Sequence, residues 1–164
     1  MNKYEALITK AKSDDLYVVE KTFYSDAKGL IKNNRIAINT VLPTSIERTC
    51  ILAEELGHYY TSAGDILDQS LTKNRKQETL ARRWAHKELI PLQTFIEAYE
   101  AGVRNRFELA ELLEVTEEFI SEAVVHFQEK YGKYCVKGEY IIYFEPLGVF
   151  KKIDELFSLR SDHK

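Results

Sequence analysis

Cysteine is scarce in this chain: Cys50 and Cys135 are the whole complement among 164 residues. They form no C-x-x-C pair, which excludes a dithiol redox motif, a paired-cysteine zinc site and a disulfide framework. Two reduced thiols in a cytoplasmic protein are the expectation. Three prolines and seven glycines are too few for a long linker or a disordered region. No apolar run approaches the roughly 20 residues of a membrane span, and residues 1–6 lack the apolar core of a secretion signal. Neither sign of charge dominates. A net charge of −3 gives no global field toward nucleic acid or an anionic membrane. What is present is a hydrophobic fraction of 45%, with 12% aromatics. That suffices for the core of one ordinary domain, or of one domain with a small helical annex.

Hydrophobic spacing and turn residues predict the elements. Residues 3–13 have the period of a short amphipathic helix, and 16–23 are β-branched and aromatic, as in a strand. Asn33-Asn34 is a tight-turn signal between 29–32 and 35–39, which makes a hairpin. Thr44-Ser45-Ile46-Glu47 is a capping box opening a helix that runs to about Ser62 and stops before Gly64. A polar loop over 62–73, with Asp65 and Asp68, leads to Asn74, which can cap a second long helix. That helix must end at Ile90-Pro91, because proline disfavours helical geometry in the residue before it. A third helix over 92–101 ends at Gly102, and two more, over 107–113 and 116–131, flank a turn at Glu114-Val115. A second hairpin joins 134–136 to 140–144. The fold class is α+β, mainly helical, with a small antiparallel sheet and a C-terminal hairpin.

The run from Cys50 to Tyr60, well inside the capped helix, carries the strongest chemical signal. In an H-E-x-x-H helix, side chains at i and i+4 stack on one face and grip a metal, and the glutamate between them polarises the attacking water. Here His58 holds the second ligand position, Glu55 the base position and Glu54 the first ligand position. A carboxylate oxygen binds zinc at nearly the distance of an imidazole nitrogen. Two donors on one helix need a third from elsewhere. Glu78, twenty residues past His58 and in the first turn of the next long helix, is the best candidate. Ala81 and Ala85 follow it at i+3 and i+7, a small-residue stripe that lets two helices approach, and Gly57 serves the same approach from the other side. Asp65 competes for the role from the loop. His86 is two turns past Glu78 and rotated about 80° around the helix, which puts it behind the ligands or on the surface.

With those residues assembled, the chain resembles the ImmA/IrrE family of metallopeptidases. Members pair an H-E-L-G-H-type helix with a helix of the pattern Glu-x-x-Ala-x-x-Phe/Trp-Ala-x-x-Leu-x-x-Pro. This sequence reads Ala53-Glu54-Glu55-Leu56-Gly57-His58-Tyr59-Tyr60, and then matches the second pattern at Glu78, Ala81, Trp84, Ala85 and Pro91. The likeness covers about residues 1–95 and is strongest to members encoded by phages and integrated elements of Gram-positive bacteria, whose partner is typically a repressor. It implies a gluzincin-like metallopeptidase domain over 1–95; the residues themselves give a helix-turn-helix-like extension with the hairpin over 96–164, expected to pack on the first. It also implies that His58 and Glu78 are metal ligands and Glu55 the general base, with Glu54 standing where the family usually has its first histidine. The implied metal is Zn2+. Two carboxylate ligands make the ion a weaker Lewis acid and favour harder ions, so Mn2+ is a second candidate.

The other chemically able residues read as structural. Tyr59 and Tyr60 could steady an oxyanion, but packing is the stronger reading. Cys50, one turn before Glu54, is a small buried hydrophobe. Arg82 and Arg83 are exposed helix arginines. Residues 108–120 have the cadence of a helix-turn-helix, yet no Lys or Arg lies between Thr116 and Glu129, while Glu117, Glu118, Glu122 and Glu129 are acidic. Such a face repels DNA. Phe119, Ile120, Ala123, Val124 and Phe127 are core by spacing, whereas His126 and His163 have no partner in the sequence. Two functional readings follow. One is a metal-dependent endopeptidase that cleaves or inactivates a repressor-type regulatory protein of a phage or mobile element. The other, which Glu54 favours, is a non-catalytic metal-binding regulator that binds the repressor.

Overall fold

Several helices in this chain begin where a side chain satisfies amides that the helix leaves unpaired. The computed structural model, which describes residues 1–62 and 75–152, opens with α1 (Lys3–Ser13). The Asn2 side chain accepts from the Glu5 N–H at 2.8 Å, and the Glu5 carboxylate accepts from the Asn2 N–H at 3.1 Å. The same reciprocal box starts α2 (Ser45–Thr61), where Thr44 and Glu47 exchange bonds of 3.1 and 3.2 Å as the sequence predicts. The predicted loop over 63–73 with Asp65 and Asp68, the stop before Gly64, the Asn74 cap and His163 all lie outside the described residues.

Strands β1 (Tyr17–Lys21), β2 (Gly29–Lys32) and β3 (Arg35–Asn39) form a sheet in the order β1-β3-β2. The expected hairpin pairs antiparallel, with Ile31 opposite Ile36. Asn33 takes the left-handed conformation (φ 54°) that the tight turn demands and asparagine tolerates. β1 adds parallel to β3 on the other side, so this sheet is mixed. Ile31, Ile36 and Ile38 are buried in the same core as Leu52 and Leu56 of α2.

α3 (Arg75–Leu89) lies against α2 along the small-residue seam. A Cβ added to Gly57 would sit 2.2 Å from the Ala81 carbonyl oxygen, and Ala81 and Ala85 are fully buried. The two backbones therefore touch, as the spacing of Gly57, Ala81 and Ala85 predicts. α4 (Leu92–Glu100) and α5 (Arg106–Leu113) follow, and Glu114 in a left-handed conformation (φ 51°) ends α5. Thr116 caps α6 (Glu117–Tyr131) through the Phe119 N–H at 3.1 Å. Phe119, Ile120, Ala123, Val124 and Phe127 are buried, so the predicted core face of α6 is correct. One contiguous apolar cluster joins them to α1, α2, α3 and the first sheet.

A second sheet closes the described chain: β4 (Tyr134–Lys137), β5 (Tyr140–Phe144) and β6 (Leu147–Lys151), all antiparallel in sequence order. The expected hairpin thus carries a third strand. The α+β, mainly helical architecture agrees with the sequence expectation. Among the described residues, no helix is long and apolar enough to cross a membrane.

Candidate active site

Stacking at i and i+4 brings Glu54 and His58 to one face of α2, and the glycine–alanine seam brings α3 up to that face. The result is a cavity of about 420 Å3 between α2, α3, the start of α6 and the chain entering β2. Glu54, Glu55, His58 and Glu78 all line it, as do Arg82 and Glu122. Four expected site residues thus line one cavity, while Asp65, the competing candidate, lies outside the described residues.

The two residues expected from different helices meet. His58 Nε2 lies 3.5 Å from Glu78 Oε1, with the imidazole mostly buried. Two donors each about 2.0–2.2 Å from one tetrahedral ion stand about 3.3–3.5 Å apart, so this pair has the spacing of ligands that share a metal. Glu54 is half-buried on the same wall. Burial pushes its carboxyl up to about 7; Arg82 pulls it back down, and Glu122, Glu55 and Glu78 add to the rise. A divalent cation would relieve that repulsion, so the donor chemistry suits one. The assembled part is a pair: among the described residues, no three His, Cys, Asp or Glu side chains are gathered as a metal-holding group.

Glu55 is buried beside this pair, and the strand beyond it explains how it is held. A Cβ added to Gly29 would lie 2.6 Å from Ile51 Cγ2 and 2.9 Å from Glu55 Cγ, so the start of β2 presses directly on the Glu55 side chain. β2 is one of the two edge strands of its sheet. Its first residue, Gly29, lines the cavity together with Ala27 and Lys28 of the chain entering it.

The residues read as structural divide as follows. Cys50 is buried at the cavity wall, and burial pushes its thiol up to about 11, so at neutral pH it is not a thiolate donor. The Tyr60 ring stacks on Trp84 with centroids 4.7 Å apart, and its hydroxyl donates to Asp14. Neither Tyr59 nor Tyr60 lines the cavity, which favours packing. Arg83 pairs with Glu129 at 2.8 Å, away from the site. Arg82 is exposed, as expected, and also lines the cavity, with Nη1 3.8 Å from Glu122 Oε1. Sequence reasoning did not single out Glu122 or Gly29. Arg82 had one usable signal, its i+4 spacing from Glu78, and Gly29 had another, a glycine opening a strand. Glu122 had none.

Of the two places expected for His86, the surface is excluded. The residue is 4% exposed, with its ring edge-on to Phe119 and 5.4 Å from the buried His126 ring. The rotation that turns it from Glu78 turns it into the α3–α6 contact. Neither His86 ring nitrogen has a hydrogen-bond partner among the described residues, and Glu122 Oε2 is 3.9 Å away. Burial, then neighbouring cationic groups, pushes both imidazoles down to about 4. Because these folded values lie below the ordinary 6.5, the unfolded chain takes up protons first. The neutral pair's contribution is complete above about pH 7 and is lost as pH falls from about 6.5 toward 4. At about 1.4 kcal/mol per pH unit, His86 alone costs about 2 kcal/mol between pH 7 and 5. His86→Phe is expected to remove that share of the acid sensitivity, measured as the difference in urea midpoints at the two pH values. Glu54 titrates in the opposite sense in both proteins and cancels in the comparison. An unchanged pH dependence in the variant would count against the buried pair as its cause.

Comparison with known proteins gives one family. The model of peptidase family M78, described as the IrrE N-terminal-like domain, matches residues 7–124. No curated protein and no solved structure matches the chain.

Proposed function

The chain belongs to the IrrE N-terminal-like family of metallopeptidase type, and from that premise we propose that it is a divalent-metal-dependent endopeptidase acting on a repressor-type regulatory protein of a phage or mobile element. The observation that carries the reading is the convergence of Glu55, His58 and Glu78 on one cavity, with His58 Nε2 and Glu78 Oε1 3.5 Å apart. His58, Glu78 and Glu54 would hold the ion, zinc or manganese. When bound, the ion supplies the Lewis acidity that polarises a peptide carbonyl and lowers the pKa of water. Glu55 accepts the proton of the attacking water and returns it to the leaving amine. Gly29 and Ile51 pack around Glu55 and limit its rotamers.

A second reading is a non-catalytic regulator that keeps the fold and binds the repressor. Glu54 in the first ligand position favours it, together with a preassembled donor pair rather than a triplet among the described residues.

Metal binding tests the shared premise. Protein purified without chelator is expected to carry about one divalent ion per chain, by elemental analysis. His58→Ala should weaken zinc binding by more than roughly 100-fold, since losing even a residue that only orients a ligand costs about 10–100-fold. Glu54→His should tighten it, because this restores an imidazole at the position where the family usually has its first histidine. If wild type carries no metal, and neither zinc nor manganese raises its thermal midpoint, the metal site is wrong.

A further inference from the structure

Arg82 is the one cationic side chain that α3 contributes to the cavity wall. It sits at i+4 from Glu78, hence on the same face one turn along. Its guanidinium faces Glu122 of α6, with Nη1 3.8 Å from Oε1, and the side chain is about half exposed. That contact is too long for a tight bidentate clamp, so the guanidinium is seated against the acidic wall without being locked there. Seven carboxylates among the described residues line the same cavity, Glu54, Glu55, Glu78 and Glu122 included, and Lys28, from the chain entering β2, is the other Lys or Arg of its lining. Among the charges that bear on Glu54, Arg82 is the attractive one and the three other glutamates are repulsive.

We propose that Arg82 is a tethered counter-cation that occupies the electrostatic place of a divalent ion among these carboxylates, and so sets how tightly the site binds metal. The inference rests on the metal-site reading above. A guanidinium has five N–H donors and no lone pair to offer, so it cannot ligate a cation and can only oppose one. In the metal-free protein it offsets the mutual repulsion of Glu54, Glu78 and Glu122. When a divalent ion enters, the same positive charge becomes a like-charge neighbour. Arg82 therefore stabilises the empty site and weakens the filled one, two effects of opposite sign from one side chain. Arg83, adjacent in sequence but paired with Glu129 away from the cavity, provides a charge-matched control.

The test uses the full chain stripped with chelator, titrated with zinc and with manganese by calorimetry, and followed by thermal melts with and without metal. Arg82→Gln is expected to bind both ions roughly tenfold more tightly or better, to melt below wild type without metal, and to show a larger metal-induced rise. Arg82→Lys, which keeps the charge, should stay near wild type, and Arg83→Gln should leave affinity unchanged. Should Arg82→Gln not fold, Arg82→Met keeps the stem, drops the charge and carries the same expectation. Equal or weaker metal binding by the neutral variants overturns the proposal and leaves the metal site standing. An equal gain from Arg83→Gln also overturns it, since the effect would then be one of net charge. Absence of binding by all of the proteins removes the metal-site reading and the proposal together.

Discussion

Glu55→Gln is expected to keep its fold and its metal while losing cleavage of its target by roughly 10²–10⁴-fold, the usual worth of a positioned general base. Glutamine is nearly isosteric, so the close approach of Gly29 to the side chain at 55 is unaltered. What disappears is the ability to take a proton. The measurement is co-expression of a candidate repressor with wild type or variant, following repressor length and reporter output together. Intact repressor and a silent reporter with the variant, against cut repressor and an active reporter with wild type, is the peptidase outcome. Full reporter relief by the variant with repressor uncut would instead establish the binding regulator, because partner binding uses a surface far wider than one buried carboxylate. The two readings thus separate at a single atom type.

The second large effect concerns Gly57. In most helix interiors, replacing glycine by alanine stabilises by about 1 kcal/mol. Here the sign is expected to reverse. The new methyl carbon would lie 2.2 Å from the Ala81 carbonyl oxygen and 2.8 Å from its carbonyl carbon, both backbone atoms that cannot rotate aside. α2 and α3 must separate or shear, and overpacking of this kind costs about 1–3 kcal/mol or more. For a chain of this size, a loss of about 3 kcal/mol lowers the thermal midpoint by roughly 6–12 °C. The same displacement lengthens the 3.5 Å approach of His58 to Glu78, so metal binding should fall along with stability. Ala81→Gly is not expected to rescue the variant, since the clash is with the Ala81 backbone. A Gly57→Ala protein that melts at or above wild type would show that the seam is looser than the distances imply.

What could be read in advance was local or periodic. The Thr44–Glu47 box announces the start of α2 because it is a four-residue hydrogen-bonding unit, complete within the sequence that encodes it. Gly57, Ala81 and Ala85 announce the seam because small side chains at helical spacing have few other uses, and Glu78 follows from the seam. Contacts set by the third dimension were illegible. His86 looks peripheral when only α3 is considered; α6 covers that flank, and nothing in the spacing of α3 names α6. Glu122 reads as one more solvated glutamate until α6 is laid across the cavity. The parallel addition of β1 to β3 is likewise a choice of neighbour, with no turn to mark it. β6 escaped for another reason. Gly148 interrupts its apolar run and weakens the strand signal.

α6 has two unlike faces, and each is committed. Phe119, Ile120, Ala123 and Phe127 are sealed into the common core, while Glu118 and Glu122 stand along the rim of the cavity. The helix is not dispensable. Without α6, His86 would lose the Phe119 and His126 rings that cover it and the cavity would lose the wall that Glu118, Phe119 and Glu122 make. The segment with the cadence of a DNA reader is, in this molecule, the far bank of the candidate site.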